Sequence, residues 1–259
     1  MIRSRSDSWA EIFKQLSIDK HNFDESPFEI SATQIKGITS HFGAVHNTLT
    51  EPRCLCKQDR REERPEVFKE KGLFILPIKN GFYKILKGDG YVDIPPIESE
   101  PIEYESKLNF TLDTSKIGDS EMQYLDKAYA SSIIRTFMND PSLVLTIRGR
   151  KYTPSIDFRV GSQSIHAESV QTEVDAGYEG ENEVVLIEAK NSNANNTIIR
   201  QLYYPYRQWQ AATNKKVKTL FFEHDKNTDY YNIWEFTFEE PDDYTSIKLV
   251  KSARFKMPQ

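Results

Sequence analysis

The chain has 259 residues, with 34 Lys and Arg against 39 Asp and Glu, which gives a formal net charge of −5. Apolar residues make up 38% and aromatic residues 12%, which excludes a disordered chain, and no apolar run approaches the roughly 18 residues of a membrane helix. The acidic balance also argues against a nucleic-acid partner, unless the cations are concentrated in particular segments.

The cysteines and the first residues bear on the cellular compartment. Cys54 and Cys56 are the two cysteines, too few for a disulfide framework or a four-cysteine zinc site. The opening segment, MIRSRSDSWAEIF, becomes acidic before any apolar stretch, so a secretion signal is not expected. The sequence therefore predicts a cytoplasmic protein with reduced thiols.

The first part of the chain predicts short helices followed by a β-hairpin. Ser8 is placed to cap a helix over residues 9–16, Ser31 a second helix, and Pro65 is placed to open a third. Two strands, GLFILPI and GFYKIL, meet around Asn80-Gly81, a strong hairpin signal. This order is typical of a winged helix-turn-helix domain and equally of an unspecialised small α+β domain.

Residues 53–87 carry a local excess of cations, with ten Lys and Arg against five acids. Two interpretations stay open for this run, a DNA-contact surface or a solvated face. The segment 93–106, DIPPIESEPIEYES, is rich in proline and acids and predicts a linker or an edge loop. It divides the chain into an N-terminal α+β domain over 1–100, with a role in DNA binding or dimerisation, and a second domain over 101–259.

The sequence of the second domain predicts a mixed α/β (α+β) architecture, with a mixed central sheet flanked by helices. Helices are expected at about 120–138 and, despite Pro205, at 196–210. Strands are expected between and after them, at 143–147, 156–160, 164–174, 183–189, 218–224 and 232–238, with a last one at SIKLVK near the end.

The segment VDAGYEGENEVVLIEAKN, residues 174–191, carries the most informative chemistry. Period-two alternation places Glu188 and Lys190 on one side of a strand, and Asp175 can meet them from the neighbouring strand. Two carboxylates with the Ala189 carbonyl between them suit Mg²⁺, and Lys190 could orient a water and stabilise charge on a phosphorane. The alternative is an exposed Glu/Lys strand end. A second acid-x-Lys triplet, Glu105-Ser106-Lys107, lacks a preceding apolar strand.

A further carboxylate could come from the helix predicted at 120–138. Glu121 lies near its start and could support a metal directly or through water. Asp119 is the competing choice. A simpler interpretation also stays open, in which Glu121 only complements the dipole at the start of the helix.

Cations interleaved with tyrosines predict phosphate contacts. No acid occurs from residue 191 to 222, and the helix over 196–210 carries Arg200, Gln201, Tyr203 and Arg207. A second group, Arg148, Arg150 and Lys151, surrounds Gly149 in RGRK. The alternatives are a core helix with a solvated basic edge and a simple basic turn. His166 and Asp157, on adjacent predicted strands, are interpreted as structural.

Asp175 and Glu188-Ala189-Lys190, with their flanking strands, resemble the active site of the PD-(D/E)XK nuclease superfamily. More narrowly, EPRCLCKQDRREERPEVF, GLFILPIKNGFY, QTEVDAGYEG, LIEAKN and IRQLYYPYRQW are similar to segments of a group of bacterial type II restriction endonucleases. The resemblance runs from about residue 50 to the end, and 171–209 is its specific part. Val174 stands where the superfamily usually has a proline.

The resemblance implies a catalytic domain over 101–259 that cuts double-stranded DNA at a short sequence with Mg²⁺ and without ATP. Asp175, Glu188, Ala189 and Glu121 would hold the metal, Lys190 would serve the attacking water, and Mn²⁺ is expected to replace Mg²⁺. A homodimer, a cognate DNA methyltransferase and a bacterial or archaeal cytoplasm would follow. Two other functions stay open, a repair or junction nuclease that reads DNA shape and a non-catalytic winged-helix regulator.

Overall fold

A seven-stranded mixed sheet forms the centre of the molecule, which is described here by a computed structural model covering residues 2–191 and 194–257. The helices of these residues are α1 Arg5–Gln15, α2 Ala32–Thr39, α3 Pro52–Leu55, α4 Glu66–Glu70, α5 Glu121–Ala130, α6 Ile133–Met138 and α7 Arg200–Gln210. The strands are β1 Phe28–Ser31, β2 Leu73–Lys79, β3 Phe82–Lys87, β4 Tyr91–Asp93, β5 Ile102–Glu103, β6 Val144–Tyr152, β7 Ile156–Val160, β8 Gln163–Ala167, β9 Gln171–Glu179, β10 Glu183–Lys190, β11 Asn196–Ile198, β12 Lys216–Asp225, β13 Tyr230–Phe238 and β14 Ile247–Lys256.

The strands of the central sheet lie in the order β5-β14-β13-β12-β10-β9-β6. β10 pairs with β12 in parallel and with β9 antiparallel, so the sheet is mixed. Alternate residues of β10 face two different cores, with Leu186 packing on the side of α7 and Ile187 on the side of α5 and α6. The predicted α+β class with a mixed central sheet flanked by helices is therefore confirmed.

The N-terminal part has its own three-stranded antiparallel sheet in the order β1-β3-β2, covered by α1, α2 and α4. Trp9, Phe13 and Phe68 stack edge to face in its core, with ring centroids 4.9 to 6.2 Å apart. The predicted hairpin is confirmed as β2 and β3, and its turn requires Gly81, whose φ is 78°.

The helix starts of the N-terminal part were predicted with mixed success. Ser31 caps α2 as expected, in a capping box with Gln34. Ser8 was the wrong residue for the first helix, because α1 begins earlier at a capping box of Ser4 and Asp7. The Ser8 hydroxyl is buried and instead donates to the Leu49 carbonyl at 2.7 Å. Pro65 directly precedes α4, as its position predicted.

The single helix predicted over 120–138 is wrong, because the chain breaks it into α5 and α6. Ser132 lies between them with a left-handed φ of 68°. Serine is a weak residue in a helix interior, and here the break is stabilised by the Arg135 guanidinium, which donates to the Tyr129 and Leu143 carbonyls. The break turns α6 against the same face of the sheet as α5.

Two other predicted elements are also divided. The strand predicted over 164–174 is β8 followed by β9, with Ser169 at a φ of 50° between them. The helix predicted over 196–210 starts only at Arg200, because residues 196–198 form β11 and pair with β4. The pairing of β11 with β4 joins segments distant in sequence, which local periodicity does not report.

The two parts of the chain pack against each other through strand β2. Side chains of β2 alternate between the cores, with Ile75 in the N-terminal cluster and Phe74 and Leu76 in the cluster on the α7 side of the central sheet. The Tyr204 hydroxyl on α7 donates to the Pro77 carbonyl of β2 at 2.9 Å. The division near residue 100 stays a prediction, although β4, which precedes it, pairs with β11 of the second part.

None of the helices described in residues 2–191 and 194–257 is long and apolar enough to cross a membrane.

Candidate active site

The two strand carboxylates meet where the antiparallel ladder between β9 and β10 ends. The last paired residues are Ile187 and Ala176, so Glu188 and Asp175 follow on adjacent strands. Beyond this last pair, the Asp175 side chain takes the place of a backbone acceptor, because its Oδ2 accepts the Ala189 N–H at 2.8 Å. The side chain of Asp175 is thereby oriented toward the backbone between Glu188 and Lys190.

Lys190 lies on the same side of β10 as Glu188, as period-two alternation predicts. Its Nζ donates to Glu188 Oε1 at 2.5 Å, and their side chains are 21% and 9% exposed. Because the ammonium and the carboxylate are both largely removed from water, each offsets the other's charge. The alternative of an exposed Glu/Lys strand end therefore does not fit these positions.

Burial changes the proton affinity of this cluster. Desolvation raises the pKa of Asp175, although the Ala189 N–H and Lys190 oppose the shift. Desolvation, reinforced by the charge of Asp175, raises the pKa of Glu188 to about 7. Burial by itself lowers the pKa of Lys190, but the Glu188 carboxylate outweighs it and the pKa lies above its ordinary value. The cluster thus holds two carboxylates whose negative charge is costly without a further cation.

Glu121, in the first turn of α5, is the helix acid that faces this cluster. Its Oε1 accepts the Asn191 N–H at 3.3 Å, directly after Lys190. Its charge also contributes to the raised pKa values of Asp175 and Lys190. Asp119, the competing choice, directs its carboxylate to Lys226 at 2.9 Å instead. The structure therefore brings Glu121 toward Asp175 and Lys190 and engages Asp119 elsewhere.

The donor set fits a shared cation site better than a closed protein cage. Among the described residues, no group of three or more His, Cys, Asp and Glu side chains is arranged to hold a metal ion by itself. Mg²⁺ usually keeps several waters and takes only one or two protein carboxylates, with substrate phosphates supplying further oxygens. Asp175 and Glu188 match that requirement, since a bound cation would offset the cost of burying both charges. Ala189 lies between them and presents its backbone to Asp175.

A cleft of about 520 Å³ opens over these residues and is lined by both parts of the chain. The second part contributes Asp175, Glu188 and Lys190 together with Arg150, Glu173, Arg200 and Gln201. The N-terminal part contributes Arg53, Cys56, Lys57, Asp59 and the hairpin turn from Pro77 to Tyr83. The cleft is therefore a groove with an acidic floor and cationic walls.

Three of the seven residues predicted to contact DNA line this cleft, namely Arg150, Arg200 and Gln201. Arg148 is paired with Asp126 on α5 instead. The ladder between β6 and β9 is irregular around Gly149, whose φ is 76°, so Arg148 and Arg150 do not share one regular strand face. Lys151 lies exposed on the same strand and is not part of the lining.

Tyr203 and Arg207 are held away from the cleft. Tyr203 is fully buried, and its hydroxyl donates to the Pro241 carbonyl at 2.8 Å, so it is not placed for the predicted phosphate contact. Arg207 donates to the same carbonyl at 2.8 Å and pairs with Asp242 at 2.9 Å. Both side chains fasten α7 to the loop after β13.

Sequence patterns did not single out the cleft residues of the N-terminal part within the cationic run over 53–87. Arg53, Lys57 and Asp59 lie far from Asp175 in sequence, and the cationic excess over 53–87 was the signal available for them. That excess did not separate these residues from Lys71 or Lys87, which lie outside the cleft.

A Ser–His–Asp arrangement occurs on the β7–β8 hairpin. The Ser155 Oγ lies 3.4 Å from His166 Nε2, and His166 Nδ1 lies 2.8 Å from Asp157 Oδ1. The side chains of His166 and Asp157 are 53% and 85% exposed, so nothing excludes water from them. The arrangement lacks the enclosure that nucleophile activation requires, which agrees with the structural interpretation of His166 and Asp157.

Comparison with known protein families gives two matches. A family model described as Domain of unknown function (DUF6997) matches residues 86–256, and one described as Domain of unknown function (DUF6996) matches residues 6–85. No curated protein and no solved structure gave a significant match to the chain.

Proposed function

The chain belongs to the family described as Domain of unknown function (DUF6997), and we propose that it is a Mg²⁺-dependent endonuclease of the type II restriction class that hydrolyses phosphodiester bonds in double-stranded DNA. The observation that carries this proposal is the joint position of Asp175, Glu188 and Lys190. They meet at the end of the β9–β10 ladder, in a cleft whose walls are cationic. Carboxylates for a metal and cations for phosphates are the two requirements of phosphodiester hydrolysis.

Each residue of the cluster has a distinct part in this reaction. Asp175, Glu188 and the Ala189 carbonyl would hold Mg²⁺. When bound, the ion polarises a phosphodiester oxygen and lowers the pKa of a coordinated water. Lys190 would direct its Nζ–H toward the attacking water and stabilise the negative charge that grows on the oxygens of the phosphorane. Glu121 holds the segment after Lys190 through the Asn191 N–H and can contact the ion through water.

The finer fold proposal is a PD-(D/E)XK core preceded by a winged-helix-like domain. The mixed sheet with its acids on the β9–β10 pair supports the first assignment. The order of helices before a hairpin, and the sheet order β1-β3-β2, support the second. However, α4 has only five residues and carries Glu66 and Glu70, so we do not propose that it enters a DNA groove.

A plasmid digest tests the proposed function. The wild-type protein should cut supercoiled DNA into discrete fragments with Mg²⁺ or Mn²⁺, and a chelator should abolish cutting. Asp175→Asn, Glu188→Gln and Lys190→Met should each lower the rate by about a hundredfold or more, since removal of one electrostatic contributor to a transition state typically costs that much. The exposed triplet Glu105-Ser106-Lys107 supplies matched controls, and Glu105→Gln and Lys107→Met should cut normally.

The outcomes separate the competing functions. Random smearing, or cutting confined to branched DNA, would favour a repair or junction nuclease over a restriction enzyme. Plasmid that stays intact with both metals would contradict nuclease activity and favour a DNA-binding regulator. Cutting at the wild-type rate by Asp175→Asn would show that the active site lies elsewhere.

We also propose a homodimer, because two active sites related by two-fold symmetry match a palindromic DNA site and cut both strands. A restriction enzyme of this kind would act in a bacterial or archaeal cytoplasm, with a DNA methyltransferase of the same sequence specificity to protect the host. The mass measured by light scattering, with and without duplex DNA, tests the dimer.

A further inference from the structure

Three cations and one carboxylate line the side of the cleft where the two parts of the chain meet. Arg53 and Lys57 come from the N-terminal part, and Arg200 comes from the start of α7. Asp59 lies among them, 3.4 Å from Lys57 Nζ and 3.4 Å from an Arg200 guanidinium nitrogen. One carboxylate does not neutralise three cations, so this corner of the cleft carries a positive excess.

Arg53 differs from the other cations of the cleft. The Arg53 side chain makes no hydrogen bond or ion pair with any of the described residues 2–191 and 194–257. This side chain is exposed and lines the cleft. By contrast, Lys79 pairs with Glu168 at 2.6 Å and Arg150 with Glu173 at 3.4 Å. The charge of Arg53 is therefore available to a ligand.

The segment that carries these residues is held firmly against the second part. The Asp59 carbonyl accepts the Ile198 N–H of β11 at 2.9 Å, and the Gln58 carbonyl accepts the hydroxyl of Tyr91 at 2.9 Å, on the strand β4 that pairs with β11. A rigid support lowers the entropy lost when a ligand binds. The positive corner is thus a preorganised feature of the cleft.

This corner adjoins the Asp175–Glu188–Lys190 cluster. Both line the same cleft, and Arg200, Gln201 and Pro205 of α7 lie along it with Glu188 and Lys190. The charge of Asp59 also acts on Glu188 and contributes to its raised pKa. A DNA strand whose scissile phosphate lies over the carboxylates would present a neighbouring phosphate to this corner, since successive phosphates are only a few ångströms apart.

We propose that Arg53, Lys57 and Arg200 form a phosphodiester-binding subsite next to the reacting phosphate, with Arg53 as its principal contact. The subsite rests on the proposed nuclease function and specifies its substrate contact. Asp59 pairs with Lys57 and Arg200 in the subsite, and its negative charge weakens the affinity for an anion. The N-terminal part is consequently a wall of the substrate site.

Fluorescence anisotropy with a short labelled DNA duplex tests the subsite, in chelator so that no cleavage occurs, over a series of salt concentrations. Arg53→Gln should lower the affinity by about tenfold, the value of one charge-assisted hydrogen bond, and reduce the slope of log affinity against log salt by about one. Lys57→Gln should change both quantities in the same direction. Lys71→Gln removes an exposed cation of the same N-terminal part outside the cleft and should change neither.

The Asp59→Asn variant should change the affinity for DNA in the opposite direction to Arg53→Gln and Lys57→Gln. Loss of the one carboxylate in this corner should raise the affinity for the duplex, whereas damage to the fold would lower it. Arg53→Lys, which keeps the charge, should recover part of the affinity lost in Arg53→Gln. Thermal unfolding of each variant shows that the affinities refer to folded protein.

Failure of the subsite is distinguishable from failure of the proposed function. If the wild-type protein cuts plasmid but Arg53→Gln and Lys57→Gln bind like Lys71→Gln, the subsite is wrong and the nuclease stands. If the wild-type protein neither binds the duplex nor cuts plasmid, the nuclease proposal fails, and the subsite fails with it. A weaker affinity for Asp59→Asn in folded protein would also overturn the subsite.

Discussion

Burial gives the Asp175–Glu188 pair its chemical character. Both carboxylates have raised pKa values because solvent is largely excluded from them, and Lys190 compensates only part of their charge. A residue pattern of acid, spacer and lysine does not contain this information, since Glu105-Ser106-Lys107 has the same pattern and lies exposed. The apolar strand before Glu188 is what predicts the difference, because it is the strand that becomes buried.

The raised pKa of Glu188 predicts a pH dependence of stability in metal-free protein. The folded state binds this proton more tightly than the unfolded chain, so stability is highest below the ordinary pKa of 4.5 and falls as pH rises toward about 7. Glu188→Gln cannot lose a proton, and it should flatten this decline and stabilise the protein at pH 8 by up to about 3 kcal/mol. Urea unfolding in chelator at a series of pH values measures the effect.

Glu105→Gln is the control for that series, because its carboxylate is exposed. Its stability should follow the wild-type curve. Equal slopes for wild type and Glu188→Gln would show that Glu188 ionises normally in the folded protein. Asp175 has a pKa shifted in the same direction, so part of the decline should remain in Glu188→Gln.

At the scale of elements, local sequence predicted well where the stabilising contacts are local. The β2–β3 hairpin and the Ser31 cap depend on residues within one turn, and both were predicted correctly. The β11 strand depends on the distant strand β4 and was not predicted. The break at Ser132 was also not predicted, although the contact from Arg135 to the Tyr129 carbonyl is local. Helical periodicity continues across both positions, so the pattern alone favoured longer helices.

The Ser4 cap predicts a measurable contribution of α1 to stability. Ser4 Oγ accepts the Asp7 N–H, and Asp7 Oδ2 accepts the Ser4 N–H at 3.0 Å. Ser4→Ala should lower the free energy of unfolding by about 1 kcal/mol, because a backbone donor at the helix start loses its partner. Ser99→Ala, at an exposed position outside any described helix or strand, should have no effect in the same thermal unfolding experiment. Equal stabilities of the two variants would exclude the cap.

Across the whole molecule, close packing between β2 and the chain that leads into β4 supports one wall of the cleft. Gly90 lies against the ring of Phe74, whose nearest atom would be 2.1 Å from an added Cβ. Phe74 is completely buried in the cluster that joins β2 to the central sheet. The close approach therefore keeps β2, and with it the N-terminal wall of the cleft, in position.

Gly90→Ala tests this fit. The added methyl group must displace a buried ring, and overpacking of this kind costs about 1–3 kcal/mol. Gly37→Ala is the matched control, because no atom lies within 4 Å of an added Cβ there and alanine favours the α2 helix by about 0.5–1 kcal/mol. In chemical unfolding, the free energy of unfolding should be lower than that of the wild-type protein for Gly90→Ala and higher for Gly37→Ala. An unchanged stability of Gly90→Ala would show that Phe74 is not packed this closely against the chain before β4.

The chemistry of the acidic floor of the cleft follows from local sequence alone. An apolar strand ending in Glu188-Ala189-Lys190, and Asp175 on the preceding strand, place these groups together through period-two alternation and a short connection. Which cations lie beside them depends instead on long-range packing. Arg53 and Lys57 enter the cleft because the N-terminal part packs on β11 and α7, whereas Arg207 is excluded because the loop after β13 binds its guanidinium. Contacts between segments so distant in the chain follow from packing of complementary surfaces, which no local pattern encodes.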